Sequence, residues 1–211
     1  MQKAELSKCL NSIRNEFSLA TVAFQRDLER IAPRETPYAF LFEINDQNPG
    51  AWPIAATEES LSRLAASYMA KGYKGKNGND LELLRCGLRW DAPGDAAVGW
   101  YWGGDSIHER LNALLAIAFD HTFGDSSIGY QLLKTICLTA LEELDAQGTF
   151  GKGPSRERVV IGVSNVDLDF ELFQDELSLV NPHSVFERLR SQLAQATTAW
   201  DQISRPSRNH S

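Results

Sequence analysis

The chain contains little cysteine, and its three cysteines, Cys9, Cys86 and Cys137, are far apart in the sequence. Because an odd number of widely spaced cysteines within apolar patterns suits buried thiols better than disulfides, we expect all three to be reduced. Reduced thiols imply a reducing compartment, and the residues after Met1 lack the apolar core of a signal peptide. These features predict a cytoplasmic location.

The sequence also lacks long apolar runs and an excess of basic residues. No segment approaches the roughly 18 apolar residues that a membrane span needs. The formal net charge is −7, and an acidic protein is repelled by the phosphates of nucleic acids and of anionic membranes. We therefore expect neither nucleic acid nor a membrane as a partner.

Catalytic motifs are absent as well. No Gly-x-Ser-x-Gly occurs, and the glycines between Gly148 and Gly153 do not have the spacing of a phosphate-binding loop. His108 begins like a zinc-protease helix, but Asn112 stands where the second histidine would be. The motifs predict no catalytic residue, no metal site and no cofactor. A catalytic site assembled from distant residues, using His108, Asp167 or Asp169, stays open as an alternative.

The clearest positive signal is an alternating apolar segment followed by a turn and a helix start. It predicts a strand with four large residues on one face, namely Tyr38, Phe40, Phe42 and Ile44. A second strand follows the turn at residues 46–50. Thr57 is then a good N-cap for a helix over residues 58–71, with Glu58 and Glu59 in its first turn.

The rest of the pattern predicts one α+β domain over residues 1–203 and a disordered tail over residues 204–211. A long amphipathic helix precedes Pro33, and residues 84–90 alternate like a third strand, with part of residues 91–104 as a fourth. Further helices begin near Asp105, near Ser126 and after Asn181, the last with Asn181 as its N-cap, and Val159–Val163 is a buried strand. We expect a single mixed, largely antiparallel sheet of four to six strands packed against about five helices.

Two segments are candidates for recognition. Arginine and aromatic side chains that can stack on a ligand or partner cluster at Arg89, Trp90, Trp100, Tyr101 and Trp102. The second segment is acidic and includes Asp167 and Asp169. An acidic face there can steer a basic protein partner, or it can serve solubility alone.

Several short motifs, taken in their order along the chain, resemble the bacterial family called domain of unknown function 4303. They are Phe42-Glu43-Ile44 at a strand end, Thr57-Glu58-Glu59-Ser60-Leu61 at a helix start, Arg89-Trp90, Gly148-Thr-Phe-Gly151 and Val180-Asn181-Pro182. The resemblance covers most of the chain from Tyr38 to Leu193, and it implies no established activity and no catalytic residues. By analogy of size and style, such families look like cytoplasmic immunity proteins that neutralise toxins.

The sequence therefore favours a non-catalytic protein-binding module of the immunity or antitoxin type. A hydrolase or nucleotide-handling enzyme with a dispersed site is one alternative. A structural protein that oligomerises through its N-terminal helix is another, because Leu10, Phe17, Phe24 and Ile31 lie seven residues apart.

Overall fold

A computed structural model describes residues 3–45, 50–75, 80–91, 106–122, 126–164 and 174–204. Its helices are α1 (Lys3–Ile31), α2 (Glu58–Ala70), α3 (Leu81–Asp91), α4 (Ser106–Thr122), α5 (Ser126–Ala146), a 3₁₀ helix (Gly153–Arg158), α6 (Gln174–Val180) and α7 (His183–Gln202). Its strands are β1 (Pro37–Asn45), β2 (Gly50–Thr57), β3 (Lys74–Gly75), β4 (Val160–Ser164) and β5 (Ile203–Ser204). The predicted fourth strand and the end of the predicted tail, residues 205–211, lie outside these ranges.

In the described part of the chain, the main sheet has three strands in the order β2-β1-β4. Strand β1 runs antiparallel to β2 and parallel to β4, while β3 and β5 form a separate antiparallel ribbon. The predicted α+β class and the mixed sheet are confirmed. The prediction of a single, largely antiparallel sheet is wrong, because the described strands form a mixed sheet and a separate ribbon. The described part of the chain holds seven α-helices rather than about five.

The predicted third strand, residues 84–90, is helix α3. Leu84 and Leu88 are four residues apart, a spacing that places side chains on one face in both a strand and a helix. The buried face of α3 also includes Gly87, and a methyl group added there would lie 3.2 Å from Ile203 Cδ1. This close approach of Ile203 to α3 explains a glycine on the buried face, whereas the strand interpretation placed Gly87 on the opposite face, with Arg85 and Arg89.

Helices cover both faces of the three-stranded sheet. Helices α1, α4 and α5 bury Phe17, Phe24, Leu111 and Leu141 against one face, which carries Phe40 and Phe42. Helices α2, α3 and α7 pack on the other face, around Leu41. The predicted long amphipathic helix α1 and the predicted buried strand β4 are confirmed.

An irregularity at the start of β1 separates Tyr38 from the other large residues of that strand. Pro37 pairs with Thr57, but Ala39 pairs with Ala56, so β1 contains one extra residue at Tyr38. A bulge of this kind turns a side chain away from the face that strict alternation predicts. Tyr38 therefore packs with the α2, α3 and α7 core, whereas Phe40 packs with α1, which corrects the predicted common face.

The helix ends follow the sequence signals in two of three places. Thr57 and Ser60 form a reciprocal capping box at α2, with both N–H···O distances 3.0 Å. Gly148 has φ +84° just after α5, as expected for a helix stop. Asn181, however, does not cap α7, because its side chain is turned toward strand β4. Pro182 takes the position directly before α7.

Candidate functional site

A cleft of about 130 Å³ opens where the start of β1 meets α2, α3, α7 and the end of the 3₁₀ helix. We call it the arginine cleft. Its lining residues are Thr36, Pro37, Tyr38, Glu58, Arg89, Arg158, Arg188 and Gln192. Among these described residues, three arginines against one carboxylate give the cleft an excess of positive charge within an acidic protein. The volume is sufficient for several water molecules or one small acidic group.

Tyr38 forms the floor of the arginine cleft, where the bulge in β1 has placed it. Its hydroxyl donates to the Arg89 carbonyl at 3.1 Å, and the Arg89 guanidinium lies 4.6 Å from its ring centroid. Burial raises the pKa of Tyr38 although the Arg89 charge opposes that shift, so the phenol remains a hydrogen-bond donor at neutral pH. Tyr38 thus orients Arg89 from below.

Glu58 holds Arg89 from the side, at the first residue of α2. Arg89 donates two hydrogen bonds to its carboxylate, at 2.7 and 2.6 Å, and Arg85 donates a third at 3.0 Å. Burial alone would raise the pKa of Glu58, but hydrogen bonds and charges from Arg89 and then Arg85 lower that pKa. The carboxylate is therefore ionised at neutral pH and fixes the geometry of both arginines.

Arg188 and Arg158 form the opposite wall. Arg188 donates to the backbone carbonyls of Glu157 and Arg158, the latter at 2.9 Å, and so ties α7 to the end of the 3₁₀ helix. Burial, followed by the charges of Arg89 and Arg156, lowers the pKa of Arg188. Repulsion from Arg89 and Arg156 is the smaller part of this shift after burial, and an anionic ligand would relieve that repulsion.

Buried polar side chains fix this wall from beneath. Arg156 is 6% exposed, bonds Asp145 at 2.5 Å and donates to the Val159 carbonyl at 2.6 Å. The Asn181 amide accepts from the Ile161 N–H at 2.9 Å and donates to the Ile161 carbonyl at 2.7 Å. Asn181 therefore pairs the outer edge of β4 as a neighbouring strand would.

Of the predicted site residues, Arg89 and Trp90 are consecutive on α3. Arg89 lines the arginine cleft, whereas Trp90 is 3% exposed and packs edge-on against Tyr38 with ring centroids 5.4 Å apart. The Trp90 indole also donates to the Gln192 side chain at 3.2 Å, so Trp90 supports the cleft from the core. Trp100, Tyr101 and Trp102, and likewise Asp167 and Asp169, lie outside the described residues.

Sequence reasoning did not identify Glu58, Arg158, Arg188 or Gln192 as site residues. Glu58 was interpreted only as an acidic residue that stabilises the first turn of α2 through the helix dipole, and it lies in that turn. Helical spacing offered one usable signal, because Arg188 and Gln192 are four residues apart on α7 and must share a face. Nothing local to Arg158 indicates that it lies opposite Arg89.

The arrangement suits binding of a carboxylate or phosphate group. Guanidinium groups present paired N–H donors that match such oxygens, and the partial burial of Arg89 and Arg188 strengthens the interaction. Within the described ranges, no three His, Cys, Asp or Glu side chains are grouped to hold a metal ion. Nor is any helix in those ranges both long enough and apolar enough to cross a membrane.

Comparison with known proteins gives a single result. Neither a curated protein nor a solved structure matches the chain. A family model described as domain of unknown function (DUF4303) matches residues 18–182, which is most of the sequence. The match includes β1, β2, α2, α3 and β4, and therefore the elements that carry Tyr38, Glu58 and Arg89. The resemblance inferred from the short motifs is confirmed, and the chain belongs to the domain of unknown function 4303 family.

Proposed function

We propose that this chain is a non-catalytic protein-binding module of the immunity or antitoxin type, and that the arginine cleft receives an acidic side chain of its partner. The observation that supports the proposal is the convergence of Arg89, Arg158 and Arg188 on one cleft, where Glu58 is the one carboxylate among the described lining residues. These residues come from separate helices, so the fold itself assembles the charge.

The ordered position of Arg89 supports the proposal that the arginines of the cleft bind a partner rather than only keep the protein soluble. Solubility requires mobile, hydrated charges, whereas the Arg89 side chain is only 16% exposed and is fixed by Glu58 and by the Tyr38 ring. A guanidinium already ordered by its neighbours loses little further entropy when it binds a carboxylate. Partly buried arginines of this kind are typical energetic centres of protein interfaces.

The sequence-based expectation of a basic partner concerns a different surface. It depends on Asp167 and Asp169, which the structure does not describe, and it stays a prediction. One partner can present an acidic group to the arginine cleft and basic groups elsewhere. The two surfaces are therefore tested separately.

The experiment compares capture of partner proteins from the organism that carries the gene. The wild-type chain is compared with Arg158→Glu, with the double change Asp167→Lys and Asp169→Lys, and with Arg190→Glu as control. Arg158 is exposed, and its side chain forms no hydrogen bond or ion pair within the described ranges, while the exposed Arg190 lies on α7 outside the arginine cleft. Each captured protein is then purified and its affinity measured with every variant.

A specific partner whose affinity falls at least about tenfold with Arg158→Glu, but not with Arg190→Glu, is the expected result. Dependence on the two aspartates would in addition support the basic partner. If no captured protein depends on Arg158, the arginine cleft is not the recognition site and the proposal fails.

Two other functions remain predictions. The enzyme alternative depends on His108, Asp167 and Asp169, whose side chains lie outside the described structure. The oligomerising alternative depends on the apolar stripe of α1. Phe17 and Phe24, which belong to this stripe, are 0% and 2% exposed because they pack on the chain's own sheet. Oligomerisation would therefore need a different surface of the molecule.

A further inference from the structure

A second, larger cavity adjoins the arginine cleft. It has a volume of about 270 Å³, and we call it the apolar cavity. Its lining includes Leu28 of α1, Phe40 of β1, Phe150 of the turn after α5, and Val159 just before β4. Pro37 lines both this cavity and the arginine cleft, and Val159 directly follows Arg158 of the cleft. The two spaces therefore meet at the same point of the fold.

The start of the parallel strand pair β1 and β4 explains why they meet. Ala39 lies beside Val160, so the residues just before them, Pro37 and Arg158–Val159, are close in space. The bulge in β1 directs neighbouring aromatic side chains to different spaces, because it places Tyr38 in the arginine cleft and leaves Phe40 in the apolar cavity. The sheet end thus has a cationic side and an apolar side.

Charge allows only one orientation for a ligand that fills both spaces. Glu29 and Glu35 line the apolar cavity, and Glu35 is already paired with Arg63 at 2.8 Å. An anionic group is repelled by Glu29 on that side and attracted by the three arginines on the other. An apolar side chain gains from burial only in the apolar cavity.

We infer that the apolar cavity and the arginine cleft form one composite site for a segment of the partner protein in which a large apolar side chain lies next to an acidic one. This inference depends on the proposed function, whose acidic anchor it extends. Burying one large apolar side chain is worth roughly a tenfold to hundredfold gain in affinity. The composite site would therefore bind such a segment much more tightly than an acidic residue alone.

The test uses acetylated and amidated tetrapeptides, with glycine at both ends, titrated into the full chain by NMR. The central pairs are Phe-Asp, Asp-Phe, Phe-Asn and Gly-Asp. Two variants block one half of the site each, Arg158→Gln for the charge and Ala32→Leu for the apolar cavity, which Ala32 lines. Arg190→Gln and Ala66→Leu are matched controls at exposed helix positions.

We expect one order of the Phe and Asp pair to bind at least about tenfold more tightly than Phe-Asn and Gly-Asp. Ala32→Leu should reduce that affinity to the level of Gly-Asp, Arg158→Gln should reduce it to the level of Phe-Asn, and the controls should bind as wild type does. Unchanged thermal unfolding of each variant shows that the fold is retained.

The opposing outcomes separate the two proposals. Equal affinity for Phe-Asp, Asp-Phe and Gly-Asp, with loss only in Arg158→Gln, would overturn the composite site and leave the acidic anchor intact. Affinity for Phe-Asn equal to that of the acidic peptides would remove the anchor and with it the proposed function. If no peptide binds saturably up to the order of 10 mM, the composite site is overturned. The proposed function is then decided by the capture experiment that compares the wild type with Arg158→Glu.

Discussion

Replacement of Glu58 by glutamine should change stability and binding in opposite directions. In the native protein this carboxylate accepts three hydrogen bonds, from Arg89 at 2.6 and 2.7 Å and from Arg85 at 3.0 Å. Glutamine keeps the shape but removes the negative charge and directs an amide N–H₂ group toward cationic neighbours. The fold loses a countercharge, and the arginine cleft becomes more positive.

The magnitude of the stability loss follows from the exposure of the pair. A hydrogen bond to a charged group contributes about 1.5–3 kcal/mol net, and three of them set an upper range. The Glu58 side chain is 33% exposed and that of Arg89 is 16% exposed, so solvent screens part of the interaction. Because glutamine retains one acceptor oxygen, we expect the free energy of unfolding to fall by about 2 kcal/mol.

The binding gain follows from Coulomb's law. Removing one negative charge at a distance of ~6 Å from a bound carboxylate, in a water-like medium, is worth about 0.7 kcal/mol. The affinity for an acidic peptide should therefore rise roughly threefold at low salt, and the gain should shrink as salt is added.

Urea unfolding measures the loss of stability, provided that the slope of the unfolding free energy against urea concentration is unchanged. Peptide titration measures the gain in binding. Glu82→Gln is the matched control, since Glu82 also bonds Arg85, at 2.9 Å, but is 76% exposed. We expect that control to change stability by less than about 0.5 kcal/mol. Equal losses of stability in the two variants would refute the argument that partial burial makes the contribution of Glu58 large. Weaker peptide binding in Glu58→Gln would refute the argument that the charge of Glu58 opposes an acidic ligand.

Two further predictions concern acid and the sheet edge. Arg89 and Arg85 lower the pKa of Glu58 despite its burial, so its stabilising effect is present above the unfolded value of about 4.3 and is lost as pH falls through the folded pKa. Wild type should therefore lose more unfolding free energy than Glu58→Gln between neutral pH and about pH 3 in urea melts. Asn181→Ala should lower that free energy by about 3 kcal/mol, because both backbone groups of Ile161 lose a partner, whereas Asn11→Ala on exposed α1 should stay within about 0.5 kcal/mol. A loss below about 1 kcal/mol for Asn181→Ala would contradict its role as edge partner.

The elements with strong periodicity were predictable from sequence. Helices α1, α2, α4, α5 and α7 and strands β1, β2 and β4 all follow apolar patterns or caps that are local in the chain. Helix α3 was not predictable in this way, because Leu84 and Leu88 satisfy both periods and because its buried face includes Gly87, which lies close to Trp200 of α7. A contact with a segment more than a hundred residues later in the chain leaves no local pattern.

The site was harder to predict than the fold, and Tyr38 shows why. Alternation placed it with Phe40, and one extra residue in β1 moved it to the opposite face. Asn181 is similar, since an Asn-Pro pair is a usual helix start, yet here the side chain completes a strand edge. In both cases a tertiary contact overrides a sound local preference.

Both irregularities act on the same place. The bulge at Tyr38 puts an aromatic floor under Arg89, and Asn181 with Arg156 holds the turn that presents Arg158. A sheet with regular alternation at this end would direct Tyr38 toward α1 and leave Arg89 without its floor. Because such departures from regular structure persist only where the surroundings fix them, their convergence on the arginine cleft argues that the fold is arranged around this site.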